Sequence, residues 1–270
     1  MTEQSISRPL LYRAWRSFFK AARYGIGPEA QQRKKADKAK RRDVGFFENQ
    51  RWQHGEAEAK RRYGSYDEYL AHQASKLDKI VHRLRETEDE DYTEFKRRFE
   101  GCAALREARS VLCLGARLGT EVRALHALGH FAIGIDLNPG ADNPYVLPGD
   151  FHAIVFPDGS LDAVYTNALD HVFALDKLVG EVRRLLRPDG VFVVDLVQGY
   201  EEGYLPGEFE AAIWRDRESF IERIRDLGGF AMESVRDLGH TRRDHWTQAV
   251  FRKPASAEAV SAREPASADT

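Results

Sequence analysis

The sequence contains few of the features that mark secreted, metal-binding or membrane-spanning proteins. It has only two cysteines in 270 residues, Cys102 and Cys113, and their spacing indicates neither a disulfide framework nor a metal site. No stretch approaches the roughly 18 consecutive apolar residues of a membrane-spanning helix. The opening MTEQSISRPL has no hydrophobic segment of a secretory signal. These absences predict a cytoplasmic protein without a transmembrane segment.

Net charge is also nearly absent, at −2, but it is unevenly distributed. Residues 1–62 contain sixteen Lys or Arg and seven Asp or Glu, a charge of about +9. Residues 8–24 combine aromatic and basic side chains, which suits a helix packed on the main domain or one in peripheral contact with an anionic membrane. The basic run at 31–43 favours a solvated helix or linker. We expect residues 1–62 to form a basic, helical N-terminal extension.

Two further segments flank the region with the clearest pattern. Apolar residues at helical spacing from Tyr66 to Leu84 predict a helix, and residues 92–107 predict a second one. We interpret residues 63–108 as a helical cap or lead-in. Residues 254–270 are rich in Ala, Ser, Pro and Glu with almost no large apolar side chains, which predicts a disordered tail.

Residues 109–253 alternate strand-like and helix-like patterns. This alternation predicts an α/β, Rossmann-like doubly wound domain with a mostly parallel seven-stranded sheet. The last two strand-like runs, FAMESVRDLG and WTQAVFRK, have no helix between them, so we expect the last strand to be antiparallel. Only PGADNP and its neighbours join the second and third strands, which is too short for the usual crossover helix. The first five predicted strands are 111–116, 130–138, 145–151, 161–169 and 190–197.

In an open α/β sheet, ligands bind outside the carboxyl ends of the strands. The first strand ends in the loop Gly115 to Gly119, where glycine allows a ligand to approach the backbone closely. This loop lacks the third glycine of a dinucleotide fingerprint. The second strand ends in Asp136, whose carboxylate can accept hydrogen bonds from both hydroxyls of a ribose. The pattern favours a nucleoside-containing cofactor over a dinucleotide.

The third and fourth strands also deliver polar groups to this edge. Asp150 can accept from an exocyclic amine, and Phe151 can flank a purine ring. The run from Asn167 to His171 lies at the predicted centre of the crevice, where a reacting group would bind. Each of these residues alone could be a turn or cap residue, but their order along the strands favours one binding site.

With these motifs, the region 109–199 resembles the class I S-adenosylmethionine-dependent methyltransferases of the small-molecule type. VLCLGARLG resembles their first motif, GIDLNPG their ribose-acid motif, and GDFHAIVFPDGSLDAVYTNALDHV their adenine-acid loop and fourth-strand motif. The resemblance implies S-adenosyl-L-methionine as cofactor and no metal. It also implies cofactor contacts from Gly115, Ala116, Gly119, Asp136, Leu137, Asp150, Phe151 and Asn167.

The chain departs from this family within the first motif. Cys113 stands where the family usually has an acid, and Arg117 stands where it usually has a small residue. In the family that acid helps to bind the ammonium end of the cofactor. Glu121 or Asp170 could take its place, and the sequence does not distinguish them.

Methyl transfer is an in-line displacement that depends mainly on alignment, and a hydroxyl or amine acceptor benefits from a base. His171 and Asp170 are the candidate catalytic residues, with an N-cap role for Asp170 as the alternative. We expect O-methylation of a small molecule or saccharide. The basic extension leaves open an RNA or other polyanion acceptor. A non-catalytic binding or scaffold protein of this fold is the remaining alternative, and the two-glycine loop disfavours an NAD-dependent oxidoreductase.

Overall fold

A computed structural model describes residues 51–241 and 244–255 of the protein. The predicted N-terminal helix up to residue 50 and nearly all of the predicted tail lie outside these residues. Among the described residues, no helix is both long enough and apolar enough to span a bilayer. The strands are β1 (Trp52–His54), β2 (Glu58–Arg61), β3 (Ser110–Leu114), β4 (Phe131–Asp136), β5 (Val146–Pro148), β6 (Leu161–Thr166), β7 (Leu186–Val197), β8 (Ala212–Trp214), β9 (Ala231–Thr241) and β10 (Asp244–Arg252). The helices are α1 (Tyr66–Ala74), α2 (Lys76–Glu86), α3 (Glu88–Glu100), α4 (Thr120–Ala127), α5 (Leu175–Leu185) and α6 (Arg217–Gly228), with short 3-10 turns at Ala103–Leu105 and Leu169–His171.

Seven strands form the main sheet in the order β5-β4-β3-β6-β7-β10-β9. The pairs from β5 to β7 are parallel, and β10 is antiparallel to both β7 and β9. This confirms the predicted doubly wound, mostly parallel sheet with an antiparallel last strand. The first strand of this sheet in sequence, β3, lies in its interior between β4 and β6, so the chain adds strands first on one side of β3 and then on the other. The reversal beside β3 creates a crevice at the carboxyl ends of the strands.

The sheet is buried on both faces because most residues of its central strands are apolar on either side of the sheet. In β3, Leu112 and Leu114 belong to a cluster that also contains the apolar faces of α5 and α6. The alternate residues Val111 and Cys113 belong to a second cluster with α3 and α4. Strand side chains alternate between faces, so one unbroken apolar run supplies both layers.

The link between β4 and β5 contains no helix, as its length predicts, although the two strands are parallel. Hydrogen bonds of the Asn143 side chain stabilise this link. The amide nitrogen of Asn143 donates to the carbonyls of Arg117 and Pro139, and its Oδ1 accepts from the backbone of Tyr145 and Val146. A tight extended crossing is sufficient because β5 has only three residues to pair.

Residues 51–62 are not part of a helix, and here the prediction of a helical extension is wrong. Strands β1 and β2 form an antiparallel hairpin, and β2 pairs with β8 to complete a separate three-stranded sheet. The pairing buries Ala59 completely and Trp52 almost completely. The partner strand lies about 150 residues further along the chain, so the local charge pattern could not reveal it.

The helical region before β3 is divided differently from its apolar pattern. The continuous stripe from Tyr66 to Leu84 belongs to two helices that meet at Ser75, and α3 begins at Glu88 rather than at residue 92. Ser65 caps α1 by accepting from the backbone N–H of Glu68. The break at Ser75 directs the start of α2 toward the carboxyl edge of the main sheet.

Candidate functional site

Two adjoining cavities lie at the carboxyl ends of β3, β4 and β6. The larger has a volume of about 600 Å³ and the smaller about 40 Å³, and both border Gly115, Arg117 and His171. The predicted site residues at the larger cavity are Gly115, Ala116, Asn167, Asp170 and His171. Those at the smaller cavity include Asp136, Leu137 and Phe151. Gly119 and Asp150 lie next to these residues without lining either cavity.

The loop after β3 has a left-handed backbone at alternate positions. Gly115 and Gly119 have φ values of 72° and 79°, a region that glycine adopts without strain. Arg117 lies between them with a φ of 43°, which costs a non-glycine residue about 1 kcal/mol or more. In this conformation the backbone N–H of Arg117 donates to Asp136 Oδ2 at 3.1 Å. The loop is thereby tied to the acid that follows β4.

Asp136 is held by backbone groups rather than by a cation. Its Oδ1 accepts from the N–H of Asn138 at 2.9 Å, and its Oδ2 accepts from Arg117. Each carboxylate oxygen retains acceptor capacity, so the group can still bind two further donors. A ribose diol supplies two such donors, and the arrangement fits a ribose.

Asp150 has protein partners on both oxygens. Oδ2 accepts from the Tyr66 hydroxyl at 2.5 Å, and Oδ1 accepts from the backbone N–H and Nδ1 of His152. Burial alone would raise the pKa of Asp150, but the hydrogen bonds from His152 and Tyr66 outweigh it and lower the pKa. An exocyclic amine that reached this carboxylate would compete with the Tyr66 hydroxyl.

The smaller cavity is restricted by the first two helices. Tyr69, Gln73 and Leu77 form the wall opposite Asp136 and Phe151. Tyr69 is fully buried, and its hydroxyl donates to the carbonyl of His171 at 2.9 Å. A volume of about 40 Å³ is far below the roughly 300 Å³ at the low end of small-molecule sites. The cavity is this small because α1 and α2 occupy the space beside Asp136 and Phe151.

Lys76, the first residue of α2, reaches into both cavities and contacts His171. The Nδ1 of His171 donates to the Phe209 carbonyl at 3.0 Å, which leaves Nε2 as the unprotonated nitrogen. The Nζ of Lys76 lies 2.5 Å from Nε2, and the guanidinium of Arg117 lies 3.2 Å from it. Burial, together with the neighbouring Arg117, lowers the pKa of Lys76. Burial also lowers the pKa of His171, so the imidazole is neutral.

Asp170 does not form the His–Asp pair that its position next to His171 suggests. Its Oδ1 lies 3.6 Å from Nε2, on the side of Lys76, and not at Nδ1. It does not cap a helix either, because Ala174 is the N-cap of α5. Burial and the nearby Glu210 raise the pKa of Asp170, and Lys76 opposes this shift.

Asp170, His171 and Glu210 place ligand atoms within 4.8 Å of one another, a spacing that could suit a metal ion. Both ring nitrogens of His171 already have partners, Phe209 on one side and Lys76 on the other. A metal ion would also lie next to the side chains of Lys76 and Arg117. The cluster is therefore better described as a buried network of opposite charges.

The far wall of the larger cavity consists of aromatic and charged side chains from α3, β9 and β10. The guanidinium of Arg98 lies 4.7 Å from the ring centroid of Trp246 and donates hydrogen bonds to Glu94 and Thr241. Phe95 completes the aromatic part of this wall. Sequence reasoning missed these residues and Lys76. The periodicity of their helices and strands predicts burial, but it does not show which cavity they line.

Arg98 is fixed from below by a buried network within the sheet. Its guanidinium lies 3.2 Å from Asp195 Oδ2, which also accepts from the Tyr165 hydroxyl at 2.9 Å. The other oxygen of Asp195 accepts from the amide of Gln248 at 2.9 Å. With both carboxylate oxygens bound, the network holds the cavity wall in one geometry.

Residues 112–194 match the family model described as a methyltransferase domain. Among curated proteins, a sterol 24-C-methyltransferase of Gibberella zeae is 32% identical over 99 residues, which are 35% of this chain and 25% of that protein. The chain thus matches only about a quarter of the length of this relative.

Solved structures resemble the described fold over most of the chain. A 1,6-didemethyltoxoflavin-N1-methyltransferase of Burkholderia thailandensis, solved with S-adenosylhomocysteine, is 16% identical with a TM-score of 0.58, covering 75% of this chain and 99% of its own. An S-adenosylmethionine-dependent methyltransferase of Thermotoga maritima is 16% identical with a TM-score of 0.52, covering 68% of this chain and 99% of its own. At these sequence identities, the similarity shows a shared fold and no more.

Residues 112–194 thus match a methyltransferase domain, and the sheet topology agrees with the fold of the similar methyltransferase structures. The cofactor that the descriptions of these two structures name, directly or as its demethylated product, is S-adenosylmethionine. The glycine loop, the carboxylate of Asp136 and the adjoining cavity of about 600 Å³ fit this cofactor. The roles of the individual site residues stay predictions.

Proposed function

We propose that this protein transfers a methyl group from S-adenosylmethionine to an oxygen atom of a small polar acceptor, such as a saccharide. The larger cavity carries this proposal, because it joins the glycine loop to a wall of aromatic and charged side chains. Its volume of about 600 Å³ falls within the roughly 300–1,000 Å³ of small-molecule sites. That size supports a small acceptor rather than a polymer.

The cofactor supplies an electrophilic methyl group, and the residues of this chain bind and orient it. Asp136 would accept from the ribose hydroxyls, and Asp150 with Phe151 would bind the adenine. The backbone of residues 115–119 and the side chain of Asn167 would contact the methionine end. Fixing both reactants in one orientation is the main source of rate acceleration in such a displacement.

The narrow smaller cavity supports a closing role for α1 and the start of α2. The nucleoside would enter when these helices move away from β4 and β5. Tyr66 would then release Asp150, and Tyr69 would release the carbonyl of His171. Closure over the bound nucleoside would exclude water from the reacting groups.

Lys76 is the residue that we propose as proton acceptor, with His171 and Asp170 as its support. A base that removes the hydroxyl proton makes the acceptor oxygen a better nucleophile. The lowered pKa of Lys76 favours the neutral amine that this role requires. When Lys76 takes up the proton, the adjacent Asp170 carboxylate stabilises the resulting charge.

The far wall supports a polar acceptor with a ring-shaped apolar face. Trp246 and Phe95 offer aromatic surfaces, while Glu94, Arg98 and Thr241 offer hydrogen-bonding groups. Saccharides combine apolar ring faces with many hydroxyls, so their chemistry matches this wall.

The test is methyl transfer from methyl-labelled S-adenosylmethionine to fractionated cell extract, read by mass spectrometry. Label in low-mass polar compounds supports the proposal, and label on RNA contradicts the small-acceptor assignment. The matched control is Lys76→Met, which should bind the cofactor and transfer little label. If calorimetry detects no binding of S-adenosylhomocysteine at millimolar concentration, the methyl-transfer proposal is wrong and a scaffold role replaces it.

A further inference from the structure

Glu121, in the first turn of α4, is a buried carboxylic acid on the wall of the larger cavity. Glu121 is only 6% exposed, and it lines the cavity next to the glycine loop. Among residues 51–241 and 244–255, its carboxylate makes no hydrogen bond or ion pair with another side chain, and its own backbone N–H is the hydrogen-bond donor that favours its ionised form. A buried ionised carboxylate without a partner is unfavourable, so such a group either stays protonated or awaits a cation.

The groups around Glu121 do not supply that cation. Cys113 and Tyr165 face it from the sheet and are both fully buried and protonated. Asp91 and Asp136 face it from α3 and β4, and both disfavour a second negative charge. Arg117 favours the charged form, but burial outweighs it and raises the pKa of Glu121 to about 8.

We propose that Glu121 binds a primary ammonium group, namely the ammonium at the amino-acid end of the cofactor. The inference rests on the proposed function, which brings that end of the cofactor to Gly115 and Asn167 on the same cavity. Burial strengthens the attraction between the two charges because little water screens them. The carboxylate would give up its proton as the ammonium binds.

The structure also distinguishes Glu121 from the other groups that could take this role. Cys113 stands where the family that this sequence resembles usually has an acid, but its thiol is fully buried and burial raises its pKa well above the ordinary value. Asp170 already faces the side chains of Lys76 and Arg117, which both favour its ionised form. For Glu121, Arg117 is the cationic group that favours ionisation, and burial outweighs it, so a new cation would stabilise its ionised form.

The test compares S-adenosylhomocysteine with its desamino analogue, which lacks only the amine. Calorimetry is done on the wild type and on Glu121→Gln, which keeps the shape and removes the charge. We expect the substitution to weaken S-adenosylhomocysteine on the order of tenfold to a hundredfold, as for a charge-assisted hydrogen bond. Binding of the desamino analogue should be unchanged, which also shows that the variant is folded.

Proton release gives a second readout. Calorimetry at pH 7 in buffers of different ionisation enthalpy should detect release of close to one proton when S-adenosylhomocysteine binds to the wild type. The Glu121→Gln variant should release almost none. Asp89→Asn is the matched control, because Asp89 is an exposed acid of α3 that does not line the cavity. If Glu121→Gln weakens the binding of both ligands equally, or releases as many protons as the wild type, the assignment of Glu121 is wrong. If neither ligand binds to the wild type, the proposed function is wrong instead.

Discussion

Replacing Tyr66 by Phe tests whether α1 closes the adenine side of the site. The Tyr66 hydroxyl donates to Asp150 Oδ2 at 2.5 Å and lies 2.8 Å from Nδ1 of His152. The substitution removes this hydroxyl and keeps the ring, whose centroid lies 5.1 Å from that of Phe173. Asp150 keeps its two hydrogen bonds from His152, so no carboxylate is left without a partner.

The size of the effect follows from the lost hydrogen bond. A hydrogen bond to a charged group contributes about 1.5–3 kcal/mol, and the lower end applies because Asp150 keeps other donors and is partly exposed. We therefore expect the closed arrangement to lose about 1.5 kcal/mol relative to the open one. If the nucleoside binds only when α1 is open, apparent affinity for the cofactor rises about tenfold.

Calorimetry with S-adenosylhomocysteine on the wild type and Tyr66→Phe measures this change. Tyr63→Phe is the matched control, since the Tyr63 hydroxyl pairs with His72 Nδ1 at 2.9 Å and not with Asp150. Its affinity should equal that of the wild type. Unchanged or weaker binding by Tyr66→Phe would refute the reasoning, because it would mean that the hydroxyl does not hold the site closed.

Three other substitutions test the remaining parts of the site. Asp136→Ala should weaken S-adenosylhomocysteine binding by at least about tenfold in calorimetry, because the ribose loses a charged acceptor; unchanged affinity would remove Asp136 from the site. Lys76→Met should lower kcat and abolish the rise of the methyl-transfer rate with pH. In the wild type, the neutral amine that acts as base becomes more populated as the pH increases through the lowered pKa of Lys76. A variant that keeps the wild-type pH–rate profile would contradict the base role. Asp195→Ala should lower the free energy of unfolding by about 2–5 kcal/mol in urea titration, because it removes one of the two carboxylates bound to Arg98 and leaves the buried Tyr165 hydroxyl without its acceptor. A loss below about 1 kcal/mol would show that the network contributes little.

The chemistry of the strand ends could be predicted because it depends on short sequence intervals. An apolar run followed by a glycine loop marks β3, and the next strands each end in an acid or a polar cluster. Parallel connectivity then brings Asp136 and Asn167 to the same edge whatever the rest of the chain does. The left-handed backbone at Gly115 and Gly119 is likewise a property of a few adjacent residues.

The roles of Asp170 and His171 needed the tertiary structure. Their adjacency in sequence indicates a His–Asp pair, but the 3-10 turn Leu169–His171 directs Nδ1 of His171 to the Phe209 carbonyl. Nε2 then faces Lys76, which is 95 residues away in sequence. No local pattern carries information about a contact over that separation.

The sequence by itself determined the α/β class, the central strands and the carboxylates at their ends, because periodicity and loop chemistry act over a few residues. Only the tertiary structure decided that β2 pairs with β8, that Tyr66 binds Asp150, and that Glu121 is buried beside the cavity without an ion pair. Each of these facts depends on segments far apart in sequence that become neighbours when the two faces of the sheet are covered. The burial that results sets the pKa of Glu121 and Lys76, and therefore the chemistry of the site.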